Sequence, residues 1–200
     1  DIFPEYKYNY YNIANAQYQL RDYKNAIRNY NTFLETYAQH SESRENLASS
    51  YLAVKDYSNS AKQFKRIYDR NPDSFKNFSD YGIALLNINE PEKASEMLEK
   101  AIEIEPMLMD SYKNYGDLSM ALHQYKEAKN YYKKALLIAK NGLLYFLFGN
   151  ACFMNDEMDE GLENYNLAIS NGYDNDEMLF FMGMAYEHLN DDHMALRYFK

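Results

Sequence analysis

The sequence has little cysteine and no long apolar run. Its 200 residues include one cysteine, Cys152, which excludes a disulfide within the chain and any metal site built from several cysteines. No apolar stretch approaches the roughly 20 residues that a membrane span needs, and residues 1–10 lack the apolar core of a signal peptide. We therefore expect no membrane-spanning segment. These observations leave the compartment open, with the cytoplasm favoured.

Motifs of catalysis and cofactor binding are also missing. The sequence contains no glycine-rich phosphate loop, no nucleophile elbow and no coherent acid–base pair. His188 and His193 lie near Asp191 and Asp192, but these residues are expected at a turn between helices and lack the spacing of metal ligands. Cys152 is expected to be buried and unreactive, because its own repeat has no nearby histidine or basic residue that would lower its pKa. We expect no enzyme activity, no cofactor and no bound metal.

Basic charge is in deficit. The chain carries 30 acidic and 21 basic residues, for a net charge of −9. Such a chain offers no basic field to a phosphate backbone or an anionic lipid surface, so nucleic acids and membranes are not expected partners. With 46% apolar and 16% aromatic residues, it can nevertheless build a sizeable core. A protein or peptide partner of neutral or basic character fits this composition better.

What the sequence does contain is a repeat. Two sets of small residues recur at intervals of 34, 34, 34, 33 and 34 residues, and each small residue of the second set is followed four positions later by a large apolar or aromatic one. Because both sets contain the same deletion, the periodicity does not arise by chance. The first set is Ala14, Ala48, Gly82, Gly116, Gly149 and Gly183; the second is Ala26, Ser60, Ala94, Ala128, Gly161 and Ala195; the large residues are Tyr30, Phe64, Leu98, Tyr132, Tyr165 and Phe199.

Each repeat is predicted to form two helices. Residues 10–17 place apolar or small side chains at steps of three and four, and residues 23–33 do so again after a polar turn. Small residues would let the two helices approach closely, and the large residues would fill the space beside them. Pro72 and Pro106, one repeat apart, are expected to follow the ends of second helices. Stacked helix pairs explain the fixed interval better than a helical bundle does.

The stretch of residues 78–106 has the most complete repeat pattern. It resembles the tetratricopeptide repeat (TPR), whose 34-residue pattern combines small residues, aromatics and a proline at fixed offsets. The resemblance implies an all-α, right-handed superhelical solenoid of stacked antiparallel helix pairs. The matching residues are Phe78, Tyr81, Gly82, Leu85, Ala94, Leu98, Ala101 and Pro106. Departures also occur: Arg44 replaces the first aromatic, Ser60 and Gly161 replace the second small alanine, and Pro91 and Asp192 replace the mid-repeat aromatic.

The repeat frame predicts a single TPR-like solenoid over residues 1–200. Its predicted repeats span about 7–40, 41–74, 75–108, 109–141, 142–175 and 176–200. The last repeat stops at Lys200, and we expect the chain to be a fragment of a longer array. Pro4 has two interpretations: it ends a preceding repeat, or it opens a helix.

The resemblance also implies a binding groove, formed by the first helices of successive repeats. The resemblance predicts a protein–protein interaction scaffold that binds a peptide or helix. The apolar character of the groove rises toward the carboxyl terminus. The alternative is a self-assembly module that oligomerises through its groove or ends, or a face covered by a further repeat. The predicted groove residues are Tyr8, Tyr11, Asn15, Tyr18, Asn46, Lys76, Lys113, Phe146, Asn150, Phe153, Met154, Phe180 and Met184.

One known use of this groove is a carboxylate clamp for the acidic tails of chaperones. Asn15, Asn46 and Lys76 stand at clamp-like positions, but Tyr11 and Asp80 stand where a lysine and an arginine belong. An acidic tail would therefore meet like charge, and we do not expect this chain to bind one.

Overall fold

The computed structural model describes residues 4–74 and 76–200, which form twelve α-helices and one 3₁₀ turn (Pro72–Ser74) and contain no strand. The helices are α1 (Pro4–Gln19), α2 (Tyr23–Thr36), α3 (Ser41–Ala53), α4 (Tyr57–Arg70), α5 (Phe78–Asn87), α6 (Pro91–Ile104), α7 (Met109–Ala121), α8 (Tyr125–Ile138), α9 (Gly142–Met154), α10 (Met158–Ser170), α11 (Asp176–His188) and α12 (Asp192–Tyr198). The predicted all-α helical repeat solenoid is confirmed. Pro4 and Pro91 each open a helix, where the missing N–H costs nothing.

Small residues allow the two helices of a pair to pack closely. A Cβ atom added at Gly116 in α7 would lie 2.5 Å from the Tyr132 ring in α8, and one added at Gly149 in α9 would lie 2.6 Å from the Tyr165 ring in α10. Both tyrosine side chains are fully buried. The small and large residues of the repeat are therefore complementary across each of these two helix pairs, as the sequence pattern indicates.

The turn inside each helix pair has one backbone design, repeated six times. A non-glycine residue adopts a left-handed conformation with φ between 58° and 64°, and the next N–H donates to the carbonyl five residues before it at 2.8–3.0 Å. This bond closes the carboxyl end of the first helix. The left-handed residues are Arg21, Lys55, Asn89, His123, Asp156 and Asn190.

The residue after the left-handed position often opens the second helix. Asp22, Asp56 and Asp191 each accept a hydrogen bond from the backbone N–H three residues later. The same short turn therefore closes one helix and caps the next, which holds the two helices in a fixed relation.

The chain divides into two compact bodies, Asp1–Ala101 and Ile102–Lys200. The amino-terminal body has a core cluster of Ala14, Ala26, Tyr30, Leu34 and Leu47. The carboxyl-terminal body has two clusters, one centred on Tyr132 and Leu144 and the other on Tyr165 and Met182. Within the described part of the chain, no helix is long and apolar enough to cross a membrane.

Candidate functional site

Tyr8 and Tyr11 stand on α1 beside the end of α2. The Tyr8 ring lies 5.3 Å from the Phe33 ring and 4.9 Å from the Tyr37 ring, measured between centroids. The Tyr11 ring lies 5.3 Å from Phe33 and 5.0 Å from His40. Both tyrosines thus pack around Phe33 and keep part of their surface exposed, which suits an anchor for a partner.

Asn15 and Asn46, predicted separately, are brought together by the structure. The Tyr30 hydroxyl donates to Asn15 Oδ1 at 2.6 Å, and Asn46 Nδ2 donates to the same oxygen at 3.3 Å. Tyr18 is half-buried nearby on α1, and burial is the main cause that raises the pKa of its hydroxyl. Lys76 is exposed and precedes α5 instead of lying on it.

Lys113 is held by a neighbouring carboxylate in the carboxyl-terminal body. Its ammonium lies 2.7 Å from Asp117 Oδ2, one helical turn further along α7. The other oxygen of Asp117 accepts the Tyr132 hydroxyl at 2.7 Å. Lys113 is therefore part of a local ion pair, and a partner would have to compete with Asp117 for its charge.

A single contact recurs in three helix pairs. A buried tyrosine of the second helix donates to a polar side chain of the first helix fifteen residues earlier. Burial raises the pKa of Tyr30 to about 12 and, above all other causes, raises the pKa of Tyr132 and Tyr165. The sequence holds a signal for this contact that repeat periodicity alone did not use: asparagine or aspartate directly follows the small residue. The pairs are Tyr30–Asn15, Tyr132–Asp117 and Tyr165–Asn150.

An apolar surface lies on α9 and α11, two helices in contact with each other. Met154 is 44% exposed and Phe180 is 55% exposed, whereas Phe153 and Met184 are half-buried. The Phe153 ring lies 5.3 Å from the ring of Phe181, which in turn lies 6.3 Å from that of Phe180. The aromatic residues of the two helices thus form one connected group. We call Phe153, Met154, Phe180 and Met184, together with Asn150, the α9–α11 face.

Phe146 does not belong to this face, and the prediction of an exposed groove position is wrong for it. The side chain is 5% exposed and lies in the core cluster. Its ring centroid is 5.3 Å from that of Tyr173, in the connection between α10 and α11, and 6.2 Å from that of Tyr165. Tyr173 covers Phe146, because the connection of residues 171–175 folds back over α9.

Sequence models of the tetratricopeptide repeat match residues 11–75, 79–106 and 110–141, which together are more than half of the chain. The chain belongs to the tetratricopeptide repeat family. Tetratricopeptide repeats support a general role as a protein-interaction scaffold, and their fold is typically non-catalytic. No curated protein matches the sequence.

Solved structures share the TPR fold at low sequence identity. PilF from Pseudomonas aeruginosa superimposes with a TM-score of 0.75 at 17% identity, covering 97% of this chain and 89% of that one. A tetratricopeptide repeat protein from Parabacteroides merdae gives 0.76 at 14% identity, covering 99% and 78%. MamA from Desulfovibrio magneticus gives 0.74 at 16% identity, covering 82% and 93%. At these identities the likeness concerns the fold.

A charged cluster links neighbouring TPR repeats around Cys152. Ligand atoms of Cys152, Glu157 and Glu160 lie within 4.8 Å of one another, an arrangement that could hold a cation. In this chain the Lys129 ammonium donates to Glu157 and, at 2.7 Å, to Glu160. Burial raises the pKa of Cys152 to about 12, although Lys129 opposes the change. Lys129 thus supplies the positive charge, and it was not predicted from the sequence because it lies one repeat earlier.

Proposed function

We propose that this TPR chain binds an apolar peptide or amphipathic helix of a partner protein on the α9–α11 face. The observation that carries the proposal is the connected group of Phe153, Phe181 and Phe180. Met154 and Met184 lie on the same two helices, and the face leaves aromatic and thioether surface accessible. An amphipathic segment would bury its apolar side against these residues. Methionine side chains would adapt to its shape, because they are flexible and polarizable.

Asn150 would give the face a polar contact that fixes the register of the bound segment. Its Oδ1 is occupied by the Tyr165 hydroxyl at 2.8 Å, which orients the side chain and leaves the amide N–H groups for a partner. These groups would donate to a backbone carbonyl of the bound segment. Apolar contacts would then supply most of the affinity, and the amide would fix the orientation of the bound segment.

The amino-terminal body offers a second set of contacts in this proposal. Tyr8, Tyr11 and Tyr18 would contribute aromatic surface, and Asn15 with Asn46 would contribute amide groups. Lys76 and Lys113 would play smaller roles, since Lys113 is already paired with Asp117. The net charge of −9 favours a neutral or basic partner over an acidic one.

The test is binding of an amphipathic peptide library to immobilised chain, comparing the wild type with a Phe180→Ala/Met184→Ala double variant. Leu137→Ala is the matched control, because Leu137 is 82% exposed on α8 and lies outside the face. We expect the double variant to lose the peptides that the wild type and the control retain, with unchanged helicity by circular dichroism. Equal binding by the double variant would refute the assignment.

Self-assembly is the second candidate, favoured by exposed apolar residues on α12 and just after it. Leu196 is 60% exposed and Phe199 is 43% exposed. If these residues pair with a second copy, light scattering will give a mass that rises with concentration, and Leu196→Asp will abolish the rise. A mass that stays monomeric at every concentration would exclude this candidate.

A further inference from the structure

A cavity of about 460 Å³ opens in the amino-terminal body, where the start of α3 meets the last turns of α4. Three arginines line it: Arg44 from α3, and Arg66 with Arg70 from α4. Arg66 and Arg70 are four residues apart, so they lie on the same side of their helix. Glu45 is the acidic residue of the lining, and Ser41 contributes a hydroxyl.

These arginines have no ionic partner within the described part of the chain. Arg44 donates to Gln63 Oε1 at 2.7 Å and to the Ala38 carbonyl at 2.5 Å, and Arg70 donates to the Gln39 carbonyl at 3.1 Å. None of the ion pairs found there contains an arginine. Arg44 is half-buried, and Arg66 and Arg70 are exposed, so the three guanidinium charges remain available to a ligand in a chain with 30 acidic residues.

The positive charges of the cluster also repel one another. Burial lowers the pKa of the Arg44 guanidinium, and the charges of Arg66 and Arg70 lower it further. Arg44 also stands where the TPR pattern has an aromatic residue that would pack without charge. The sequence thus departs from its family at the position that completes the cluster.

We propose that this cavity binds a phosphate monoester. Three guanidinium charges and one carboxylate leave a net charge of two positive units, which matches the roughly −1.5 to −2 of a phosphate monoester at neutral pH. Guanidinium forks bind phosphate oxygens through paired N–H donors, a geometry that a lysine cannot reproduce. The volume lies within the roughly 300–1,000 Å³ of ligand pockets and leaves room for the group that carries the phosphate.

This site is independent of the proposed docking face. The cavity belongs to the amino-terminal body, whereas the α9–α11 face belongs to the carboxyl-terminal body. Either proposal can therefore fail while the other holds. The phosphate could be carried by a phosphorylated peptide or by a small metabolite, since the lining recognises the phosphoryl group itself.

Titration calorimetry of the whole chain tests the site, with phosphoserine blocked at both ends and glycerol phosphate as probes. We expect both to bind, more weakly as salt is added, and each of Arg66→Gln and Arg70→Gln to weaken binding about tenfold or more. Arg28→Gln is the matched control, because Arg28 is exposed on α2 and does not line the cavity. If a phosphoserine peptide binds more tightly than blocked phosphoserine, the natural ligand is a phosphorylated protein and not a small metabolite.

Three results would overturn the proposal. The first is that the wild-type chain binds neither probe. The second is that Arg66→Gln binds the probes as tightly as Arg28→Gln does, and the third is that blocked aspartate binds as tightly as blocked phosphoserine. Arg44 is left intact in these variants because its guanidinium also holds Ala38 and Gln63. Arg66→Gln is the cleaner of the two variants, because Arg70 also donates to the Gln39 carbonyl. Circular dichroism of each variant verifies that the helices are retained, so that loss of binding reports on the cavity.

Discussion

The buried hydroxyl of Tyr132 in α8 donates to Asp117 Oδ1 in α7 at 2.7 Å. The same carboxylate receives the Lys113 ammonium at 2.7 Å. Asp117 therefore contacts both a core tyrosine of α8 and a lysine of its own helix, Lys113. Tyr165 and Asn150 repeat the geometry at 2.8 Å with a neutral acceptor. The two pairs allow the effect of the acceptor's charge to be measured within one fold.

Replacing Tyr132 by phenylalanine should destabilise the chain more than replacing Tyr165. The lost hydrogen bond in Tyr132→Phe has a charged acceptor, worth about 1.5–3 kcal/mol, whereas that in Tyr165→Phe has an amide acceptor, worth about 0.5–1.5 kcal/mol. Both rings are fully buried, so the change in packing is matched. Urea unfolding of the two variants measures the difference. Equal losses would mean that the charge of Asp117 adds nothing to the bond.

Buried tyrosines should make the fold sensitive to alkali. Burial raises the pKa of Tyr30 and Tyr81 from 10.0 to about 12 and raises that of Tyr132 and Tyr165 in the same direction. Above pH 10 the unfolded chain releases these protons while the folded chain keeps them, so the free energy of unfolding falls as pH rises. Its slope between pH 10 and 12 should be smaller in Tyr132→Phe. An unchanged slope would contradict the assignment.

Two glycines on facing helices should respond oppositely to alanine. A Cβ at Gly149 would lie 2.6 Å from the Tyr165 ring, which is buried and cannot move aside. A Cβ at Gly161 would meet its nearest atom at 3.4 Å, close to ordinary contact. We expect Gly149→Ala to cost about 1–3 kcal/mol through overpacking, and Gly161→Ala to be neutral or to stabilise its helix by up to about 1 kcal/mol. Thermal unfolding of both variants measures these changes in stability. Destabilisation by Gly161→Ala would contradict the nearly ordinary contact distances found around Gly161.

Much of the fold could be predicted because its determinants are local and periodic. The 34-residue spacing of small and large residues follows from the close approach of paired helices, and Gly116 with Tyr132 is one such contact. The turn geometry was not predicted. Its left-handed positions carry six residues of five different types, among them Arg21 and Lys55, so no amino-acid preference marks them in the sequence. The left-handed positions recur at the same interval as the small residues, so only their position in the repeat identifies them.

Lys55 is a turn residue at which glycine should increase stability. It adopts φ 62°, where a Cβ is unfavourable for most side chains, and it lies between α3 and α4. Lys55→Gly should raise the free energy of unfolding by about 0.5–1 kcal/mol, because relief of this strain exceeds the entropy of glycine. Asn89 also has φ 62° and is the matched control, since asparagine tolerates this conformation. Asn89→Gly should change stability less, and the reverse order would contradict the strain argument.

The candidate site could be predicted only in part, because burial depends on residues distant in sequence. Phe146 occupies a groove position by register, yet Tyr173 from a later connection covers it. Cys152 has no basic residue in its own repeat, yet Lys129 reaches its neighbourhood from the repeat before. The first difference arises because the connection after α10 folds back on the first helix of the same repeat, and the second because one repeat packs on the next. The periodic pattern of small and large residues contains no information on either contact.

Lys129 should stabilise the carboxyl-terminal body in a pH-dependent way. Its side chain is 14% exposed and its ammonium contacts Glu157 and Glu160, so Lys129→Met removes both ion pairs and should cost about 1 kcal/mol at neutral pH. The Lys129 hydrogen bond is the main cause that lowers the pKa of Glu157 below 4.5. Its stabilisation is therefore present above pH 4.5 and is lost as pH falls through the lowered pKa, so the variant should lose less stability on acidification.

Lys65→Met is the control for this measurement. Lys65 pairs with Asp69 at 2.5 Å, but its side chain is 61% exposed, so solvent screens the pair and the substitution should cost less than about 0.5 kcal/mol. Urea unfolding at neutral pH and below pH 4.5 compares the two variants with the wild type. If Lys129→Met follows the pH dependence of the wild type, the ammonium does not govern Glu157, and the charged cluster contributes packing without electrostatic stabilisation.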